Sequence, residues 1–166
     1  MKIRFLLYGI VAFVLAGCDA EAPSGDLGRA AMVVIHGDGT RQTACLSLDS
    51  DDMTGQELLG RAGWEYQIDA GNAMGVLVCQ IDGEGCEFPA ENCLCRCRPG
   101  QPCQYWAYFN HDTGGEWRYG ARGASQRVVR DGSLDAWVWL TSASADEAAA
   151  PVLESLTFES VCPAQP

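Results

Sequence analysis

Apolar and polar residues alternate along the early part of the chain. Within residues 41–49 the apolar residues Ala44, Leu46 and Leu48 alternate with the residues at 43, 45 and 47, which is the period of a half-buried strand. Residues 31–40 are the expected partner strand, and Asp38-Gly39 between the two is typical of a type I′ turn, which needs positive φ at both central residues. The pattern predicts a β-hairpin.

The period changes after this hairpin, where a short helix is expected. Thr54 and Glu57 form the T-x-x-E pattern of a capping box, in which each side chain bonds to the backbone N–H of the other residue. Leu58 and Leu59 follow as apolar helix residues. Gly63 is a typical C-terminal stop, because glycine adopts positive φ without steric cost.

Strand patterns return beyond the helix. Alternating residues over 64–69 predict one strand, and the continuous apolar run at 76–81 predicts a buried one. A cysteine-rich insert follows. The remaining predicted strands are residues 105–110, 117–121, 125–130 and 134–140, with an edge strand expected in 152–162. One helix that follows a hairpin and precedes a run of strands predicts an α+β fold, with the helix on one face of a mixed sheet.

The N-terminal residues have the pattern of an export signal. Lys2 and Arg4 precede an apolar stretch of 12 residues, which is shorter than the roughly 20 residues that a membrane-spanning helix needs. Residues 15–18 then resemble a bacterial lipobox. Residues 1–17 are therefore predicted to be a lipoprotein signal peptide, and Cys18 is predicted to carry diacylglycerol and a palmitate-type chain. An ordinary secretory leader with an unmodified cysteine is the alternative.

The rest of the chain divides into a tether, one domain and a C-terminal segment. Residues 18–29 are small and acidic, which is typical of a flexible tether. The folded domain is expected in 30–141, with the cysteine-rich insert at 82–103. A small-residue linker, 142–151, precedes the C-terminal segment, 152–166. Together with the leader, this organisation predicts a cell-envelope protein that is lipid-anchored and faces the periplasm or the cell exterior.

Length and charge narrow the classes of function. A chain of 166 residues forms one ordinary domain, and a hydrophobic content of 48% is compatible with a packed core. The net charge is −11, and loss of the leader with its two basic residues would leave nine basic against 22 acidic residues. This acidic balance argues against nucleic-acid binding and against electrostatic attraction to anionic lipid.

Eight cysteines besides Cys18 indicate a disulfide-rich exported domain. Their number is even and an oxidising compartment favours four disulfides, although eight cysteines allow 105 pairings. A thiophilic metal or iron–sulfur site at Cys93-x-Cys95-x-Cys97 is the sharper alternative, but such sites typically use C-x2-C spacings that the chain lacks. We therefore predict no metal site. The predicted disulfide residues are Cys45, Cys79, Cys86, Cys93, Cys95, Cys97, Cys103 and Cys162.

The sequence offers no pattern of catalytic residues. His36 and His111 are the only histidines, lie apart from any nucleophile motif and are expected to be solvated turn residues. The nucleophile-elbow, zincin and phosphate-loop motifs do not occur in the sequence. We predict a binding protein rather than an enzyme, with no cofactor.

The strand at 134–140 presents two different faces. One face, predicted to lie under the helix, comprises Leu134, Ala136, Val138 and Leu140, and the other comprises Asp135, Trp137 and Trp139. Neighbouring tryptophans are costly to leave in water. Either the insert or the C-terminal segment covers them, or they belong to an aromatic platform for a planar or apolar ligand. The residues assigned to this platform are Tyr105, Trp106, Tyr108, Asn110, Trp117, Tyr119, Trp137 and Trp139.

The run YWAYFN at 105–110, the turn RDG at 130–132 and the tryptophans of the following strand resemble a known domain family. They are similar to the small β-grasp domain at the C-terminus of transcobalamin and gastric intrinsic factor, here on a bacterial lipoprotein. The resemblance covers about residues 32–140 and implies a ubiquitin-like β-grasp fold with a disulfide-rich insert. It also implies a corrinoid or similar small ligand, although this sequence does not contain the helical barrel that holds the other side of cobalamin in those carriers.

Two functions are compatible with the sequence. The first is a membrane-anchored lipoprotein that captures a corrinoid-like or other small molecule and presents it to a membrane transporter for uptake. The second is a structural or interaction module that docks on another exported or membrane protein without binding a small molecule. A pocket lined by the aromatic residues would favour the first function, and a large apolar patch without a concavity would favour the second.

Overall fold

The computed structural model describes residues 27–73, 75–120, 122–141, 149 and 151–164. The predicted signal peptide, Cys18, and most of the predicted tether and linker lie outside these residues. Within the described ranges no helix is long and apolar enough to cross a membrane.

The described part of the chain forms two β-sheets and a few short helices. The strands are β1 (Arg29–Ile35), β2 (Arg41–Ser47), β3 (Tyr66–Asp69), β4 (Leu77–Ile81), β5 (Glu84–Gly85), β6 (Tyr105–His111), β7 (Arg118–Tyr119) and β8 (Leu134–Leu140). The helices are α1 (Gly55–Arg61), a 3-10 turn (Ala124–Gln126), a helical turn at 151–153 and α2 (Phe158–Val161).

The larger sheet is mixed. Its strand order is β2-β1-β8-β6-β7, in which β1 and β8 run parallel and the other neighbours run antiparallel. The smaller sheet is antiparallel, with the order β3-β4-β5. The prediction of an α+β fold with a mixed sheet is confirmed.

The predicted hairpin is present, but its turn differs from the predicted type. The Gly39 N–H donates to the His36 carbonyl and the His36 N–H donates to the Thr40 carbonyl, both at 2.9 Å. The His36–Thr40 hydrogen bond therefore encloses a loop of three residues, 37–39, in which Gly39 adopts positive φ (84°) whereas Asp38 does not. The loop is a three-residue hairpin connection with one left-handed position, and the type I′ prediction is wrong.

Helix α1 begins and ends where local chemistry predicts. Thr54 is the N-cap, and the reciprocal bonds between Thr54 and Glu57 form the predicted capping box. Gly63 follows the helix with φ of 83°. Leu58 and Leu59 are completely buried, so this short helix is stabilised mainly by the sheet beneath it.

Two predicted strands are absent as strands. Residues 125–130 contain the end of the 3-10 turn and an isolated bridge between Val128 and Thr54. The C-terminal segment contains a helical turn at 151–153 and a second short helix rather than an edge strand, and Ala149, Leu153 and Leu156 are buried against the sheet. A capping box at Thr157 then begins α2.

Apolar side chains cover both faces of the larger sheet. On the α1 side, Leu58 packs in one core with Met32 of β1. On the opposite side, Leu153 of the C-terminal segment packs in a second core with Val33. Because neighbouring residues of a strand point to opposite faces, β1 is buried at nearly every position.

The two cores correct the predicted orientation of β8. Trp137 lies in the core on the α1 side and is 2% exposed, whereas Leu134 and Val138 belong to the core under the C-terminal segment. The prediction reversed these faces because both sets of alternate residues contain large apolar side chains. Alternation gives the period of a strand, and only the long-range packing decides which element covers each face.

All eight predicted cysteines are paired. Cys45–Cys162 joins β2 to the C-terminal segment across a sequence separation of 117 residues. The other bonds are Cys79–Cys93, Cys86–Cys95 and Cys97–Cys103, and they fasten the insert to β4 and to itself. The preference for disulfides is confirmed.

Candidate ligand-binding site

A cavity of about 400 Å³ lies between the larger sheet, strand β4 and the cysteine-rich insert. Its apolar walls come from residues 76–78, at the start of β4, and from Leu94 and Cys103 of the insert. Its aromatic walls are Tyr105, Trp106, Tyr108, Tyr119 and Trp137. This volume lies within the range of small-molecule sites.

The pairing of β6 with β8 assembles the aromatic wall. In this antiparallel register Trp106 stands opposite Trp139, and Tyr108 stands opposite Trp137. The ring centroids of these pairs are 5.4 and 4.9 Å apart. Such cross-strand aromatic pairs stabilise a sheet and hold the rings in fixed orientations.

The structure brings five of the eight predicted platform residues to the cavity and leaves three elsewhere. Trp139 contacts the ring of Trp106 but does not line the cavity. Trp117 packs against the core on the opposite side of the sheet. Asn110 pairs in register with Asp135 at the far end of β6. The predicted residues therefore do not form one continuous platform.

Trp106 is held by a polar network from the hairpin and β5. Its indole N–H donates to the Glu84 carbonyl at 2.9 Å. The Glu84 carboxylate pairs with His36 Nδ1 at 2.8 Å, and the His36 ring stands edge-on to Trp106 at 5.4 Å. The His36 side chain is only 11% exposed, so its prediction as a solvated turn residue is wrong.

The buried Asp135 side chain anchors Tyr108, a second aromatic residue of the cavity. The Tyr108 hydroxyl donates to Asp135 Oδ2, and Asp135 Oδ1 lies 3.5 Å from the Arg127 guanidinium. Burial raises the pKa of Asp135 to about 6, with Arg127 opposing the shift. Burial and the neighbouring Asp135 together raise the pKa of Tyr108 well above its ordinary value. The Tyr108 hydroxyl therefore stays protonated and anchored.

Glycine is required where the chain passes behind Tyr108. A Cβ atom at Gly120 would lie 2.3 Å from the Tyr108 ring, closer than any side chain allows. The Gly120 N–H also donates to the Tyr108 carbonyl at 2.8 Å. The close approach positions Tyr119, the preceding residue, at the cavity rim.

The chemistry of the cavity is apolar and aromatic. Its lining contains no aspartate, glutamate, lysine, arginine or histidine among the described residues. Leu94 and Tyr119 at its rim are 45% and 41% exposed, and they are two of the three large hydrophobic side chains exposed in the described part of the chain. Such a site suits an uncharged group with a flat or apolar surface.

Several wall residues were not predicted from the sequence. The apolar run at 76–81, which contains β4, is predicted to be buried, but nothing in it indicates which element it faces. Leu94 carries a weak signal, since it is a large apolar residue between two cysteines in an otherwise polar insert. Asp135 does not line the cavity but anchors Tyr108, and its signal in the sequence is clearer, because an acid within an apolar strand is rarely buried without partners.

One group of potential metal ligands occurs among the described residues. Ligand atoms of Cys86, Glu91 and Cys95 lie within 4.8 Å of one another. Cys86 and Cys95 are joined in a disulfide, so neither sulfur is a thiolate that could bind an ion. In the oxidised protein this group does not constitute a metal site.

Comparison with known proteins adds a family match and a likeness to solved structures. Residues 100–166 match the SCO2322-like domain, and this segment includes all five aromatic wall residues. No curated protein matches the chain. A crystal structure from Ruminococcus gnavus, of a protein provisionally described as metal-binding, has 20% identity and a TM-score of 0.48, covering 69% of this chain and 98% of its own.

Proposed function

We propose that this protein binds a small, uncharged, mainly flat or apolar ligand in the cavity between the larger sheet and the insert. The carrying observation is a cavity of about 400 Å³ that five aromatic residues line, and whose described lining contains no charged residue. The exposed rim formed by Leu94 and Tyr119 supports the proposal, because solvent-exposed apolar side chains at a concavity are typical of a binding site.

The proposal includes a location. The lipobox-like residues before Cys18 support an exported lipoprotein, and the four disulfides are consistent with an oxidising compartment. In this arrangement a short tether would hold the domain at the membrane, where it hands its ligand to a transporter.

We further propose that the domain is a β-grasp. The strand order β2-β1-β8-β6-β7, with a parallel central pair and a helix directly after the first hairpin, supports this topology. The resemblance of residues 105–110 and 130–132 to the transcobalamin-type domain is the reason to include a corrinoid among the ligands. A cavity of this size accommodates only a flat part of a corrinoid, such as its lower-ligand base.

Calorimetric titration of the oxidised protein tests the proposal. The ligands are cobalamin, its analogue without the lower-ligand base, and the free base. A dissociation constant of micromolar or better, about −8 kcal/mol, with the base as the required part is the expected result. Binding of the free base without binding of cobalamin would retain the cavity and remove the corrinoid.

Two matched variants locate the binding. Leu94→Ala removes an exposed rim residue of the cavity, whereas Val128→Ala removes the third exposed large hydrophobic residue, which lies away from it. Leu94→Ala should weaken binding several-fold and Val128→Ala should not change it. Absence of any heat and saturation with all three ligands would reject the proposal and favour the interaction module.

A further inference from the structure

A second and larger concavity lies on the side of the sheet that the C-terminal segment covers. This groove, of about 890 Å³, runs between the loop that joins β6 to β7 and the helical residues after 149. The first cavity and the groove share Tyr119 as a lining residue and otherwise have separate walls.

Aromatic rings form the apolar part of the groove. The lining includes Phe109, Trp117, Tyr119 and Phe158. The Tyr119 ring stands edge-on to Phe109 at 5.6 Å, and the Trp117 ring lies 5.4 Å from the His111 ring. Trp117 is half-buried, so part of its indole remains accessible.

Carboxylates form the polar part of the groove. Glu116, Asp131, Glu154 and Glu159 line it and are exposed, and the lining contains no lysine or arginine among the described residues. The three glutamates make no ion pair and no side-chain hydrogen bond within the described part of the chain. Their negative charge is therefore not neutralised by the protein itself.

The carboxylates of the groove do not form a preassembled site for a bare metal ion. No three carboxylate or histidine ligand atoms of the groove come within 4.8 Å of one another, since the described residues contain only the disulfide-linked group at Cys86 with that spacing. A small inorganic cation needs such convergence. A larger cation does not, because its charge is spread over several carbon-bearing groups.

We propose that the groove binds a small organic cation, in which a quaternary or protonated amine lies against the Trp117 indole and among the four carboxylates. The electron-rich face of an aromatic ring attracts a cation, and the surrounding carboxylates add a negative potential that attracts it further. An anionic ligand would be repelled by the same groups. This inference does not depend on the ligand of the first cavity.

Choline and its uncharged carbon isostere, 3,3-dimethylbutan-1-ol, provide the test. The two probes have the same shape, so a difference between them reports the charge. We expect saturable binding of choline to the oxidised protein by calorimetry, at least ten-fold tighter than binding of the isostere. The Trp117 indole N–H resonance should shift during the titration, and higher ionic strength should weaken binding.

Replacing exposed glutamates by glutamine removes their charge and should not affect folding. The double variant Glu154→Gln with Glu159→Gln should weaken choline binding at least five-fold. The control, Glu87→Gln with Glu91→Gln, removes the same charge from exposed positions of the insert and should leave binding unchanged. Trp117→Leu should also weaken binding, whereas Leu94→Ala should not.

Three results would overturn the inference. They are equal binding of the isostere, an equal loss of affinity in the control double variant, and the absence of saturation by choline. The first would make the groove an apolar site, and the second would reduce the effect to the net charge of the molecule.

Discussion

At the scale of single residues, Asp135 shows how opposing forces set the charge of a buried group. The side chain is completely buried, and its Oδ1 atom accepts no hydrogen bond among the described residues. Desolvation favours the neutral carboxyl more strongly than Arg127 and Tyr108 favour the carboxylate, so the pKa rises to about 6. Asp112 is more exposed, and its hydrogen bond to Arg127 at 2.6 Å lowers its pKa.

The raised pKa of Asp135 predicts a distinct pH dependence of stability. The folded protein binds more protons than the unfolded chain between the unfolded pKa of about 3.9 and the folded pKa of about 6. The contribution of Asp135 to the free energy of unfolding is therefore fully present below about pH 4 and is lost as the pH rises through 6, a change of about 3 kcal/mol. Asp112, with its lowered pKa, acts only at lower pH.

Denaturant unfolding between pH 4 and pH 7 measures this contribution. The stability of the native sequence should fall across this range, and Asp135→Asn should flatten the curve because asparagine does not titrate. The comparison uses the slope with pH, so an overall loss of stability in the variant does not affect it. A variant that keeps the full slope would show that another group is responsible.

At the scale of elements, helix α1 contains two glycines, Gly55 and Gly60, that differ in how closely other side chains approach them. A Cβ atom at Gly55 would lie 2.2 Å from the Tyr108 hydroxyl and 2.9 Å from Asp135 Oδ2. A Cβ atom at Gly60 would meet only the end of the Tyr66 side chain, at 2.9 Å. The first neighbour is fixed in a buried network, whereas the second can rotate away.

Alanine substitution should therefore act in opposite directions at the two positions. Gly55→Ala forces the helix away from the sheet and should lower the free energy of unfolding by about 2 kcal/mol or more. Gly60→Ala should leave it unchanged or raise it by about 0.5–1 kcal/mol, because alanine is the better helix former. Thermal unfolding of both variants provides the comparison, and equal destabilisation would contradict the described packing at Gly55.

Elements determined by local chemistry were predictable from the sequence, and elements determined by distant partners were not. The capping box at Thr54 and the stop at Gly63 involve residues close in sequence, so the pattern contains the whole interaction. Residues 152–162 differ from the predicted strand because the helical turn at 151–153 and helix α2 are each too short to show a helical period in the sequence. Their burial also depends on a sheet face formed far away in sequence.

The candidate site divides in the same way. The run at 105–110 indicated an aromatic wall, because alternation and residue type are visible in the sequence. The partition of aromatic residues between two faces was not visible, since it depends on which element covers each face. Trp117 was grouped with Trp106 for this reason, although the structure places the two in different cores.

At the scale of the whole molecule, Cys45–Cys162 ties the C-terminal segment over the second core. This bond closes a loop of 117 residues in separation, whereas Cys97–Cys103 closes one of only six. The chain-entropy relation gives a stabilisation of about 5 kcal/mol for the long loop and about 2 kcal/mol for the short one. The two bonds therefore form a matched pair for measurement.

Removal of the long-range bond should destabilise the protein more than removal of the short-range one. We expect Cys45→Ala with Cys162→Ala to lower the free energy of unfolding by about 2–3 kcal/mol more than Cys97→Ala with Cys103→Ala. Guanidinium unfolding of both double variants measures the difference. Equal losses would mean that the C-terminal segment holds its position through apolar packing alone.

The same bond decides how a pulling force travels through the domain. Tension applied at residue 27 and at residue 164 passes along β1, around the hairpin to Cys45, and directly across to Cys162. An unbridged segment with this 117-residue separation would extend to roughly 400 Å. The other three disulfides shorten that extension, and Cys45–Cys162 removes what remains from stretching. Ala31 pairs with Cys45 near the open end of the hairpin. The hydrogen bonds between β1 and β2 would therefore break one after another from that end. The disulfide would then act as a mechanical stop, with both concavities inside the part of the chain that bears no load.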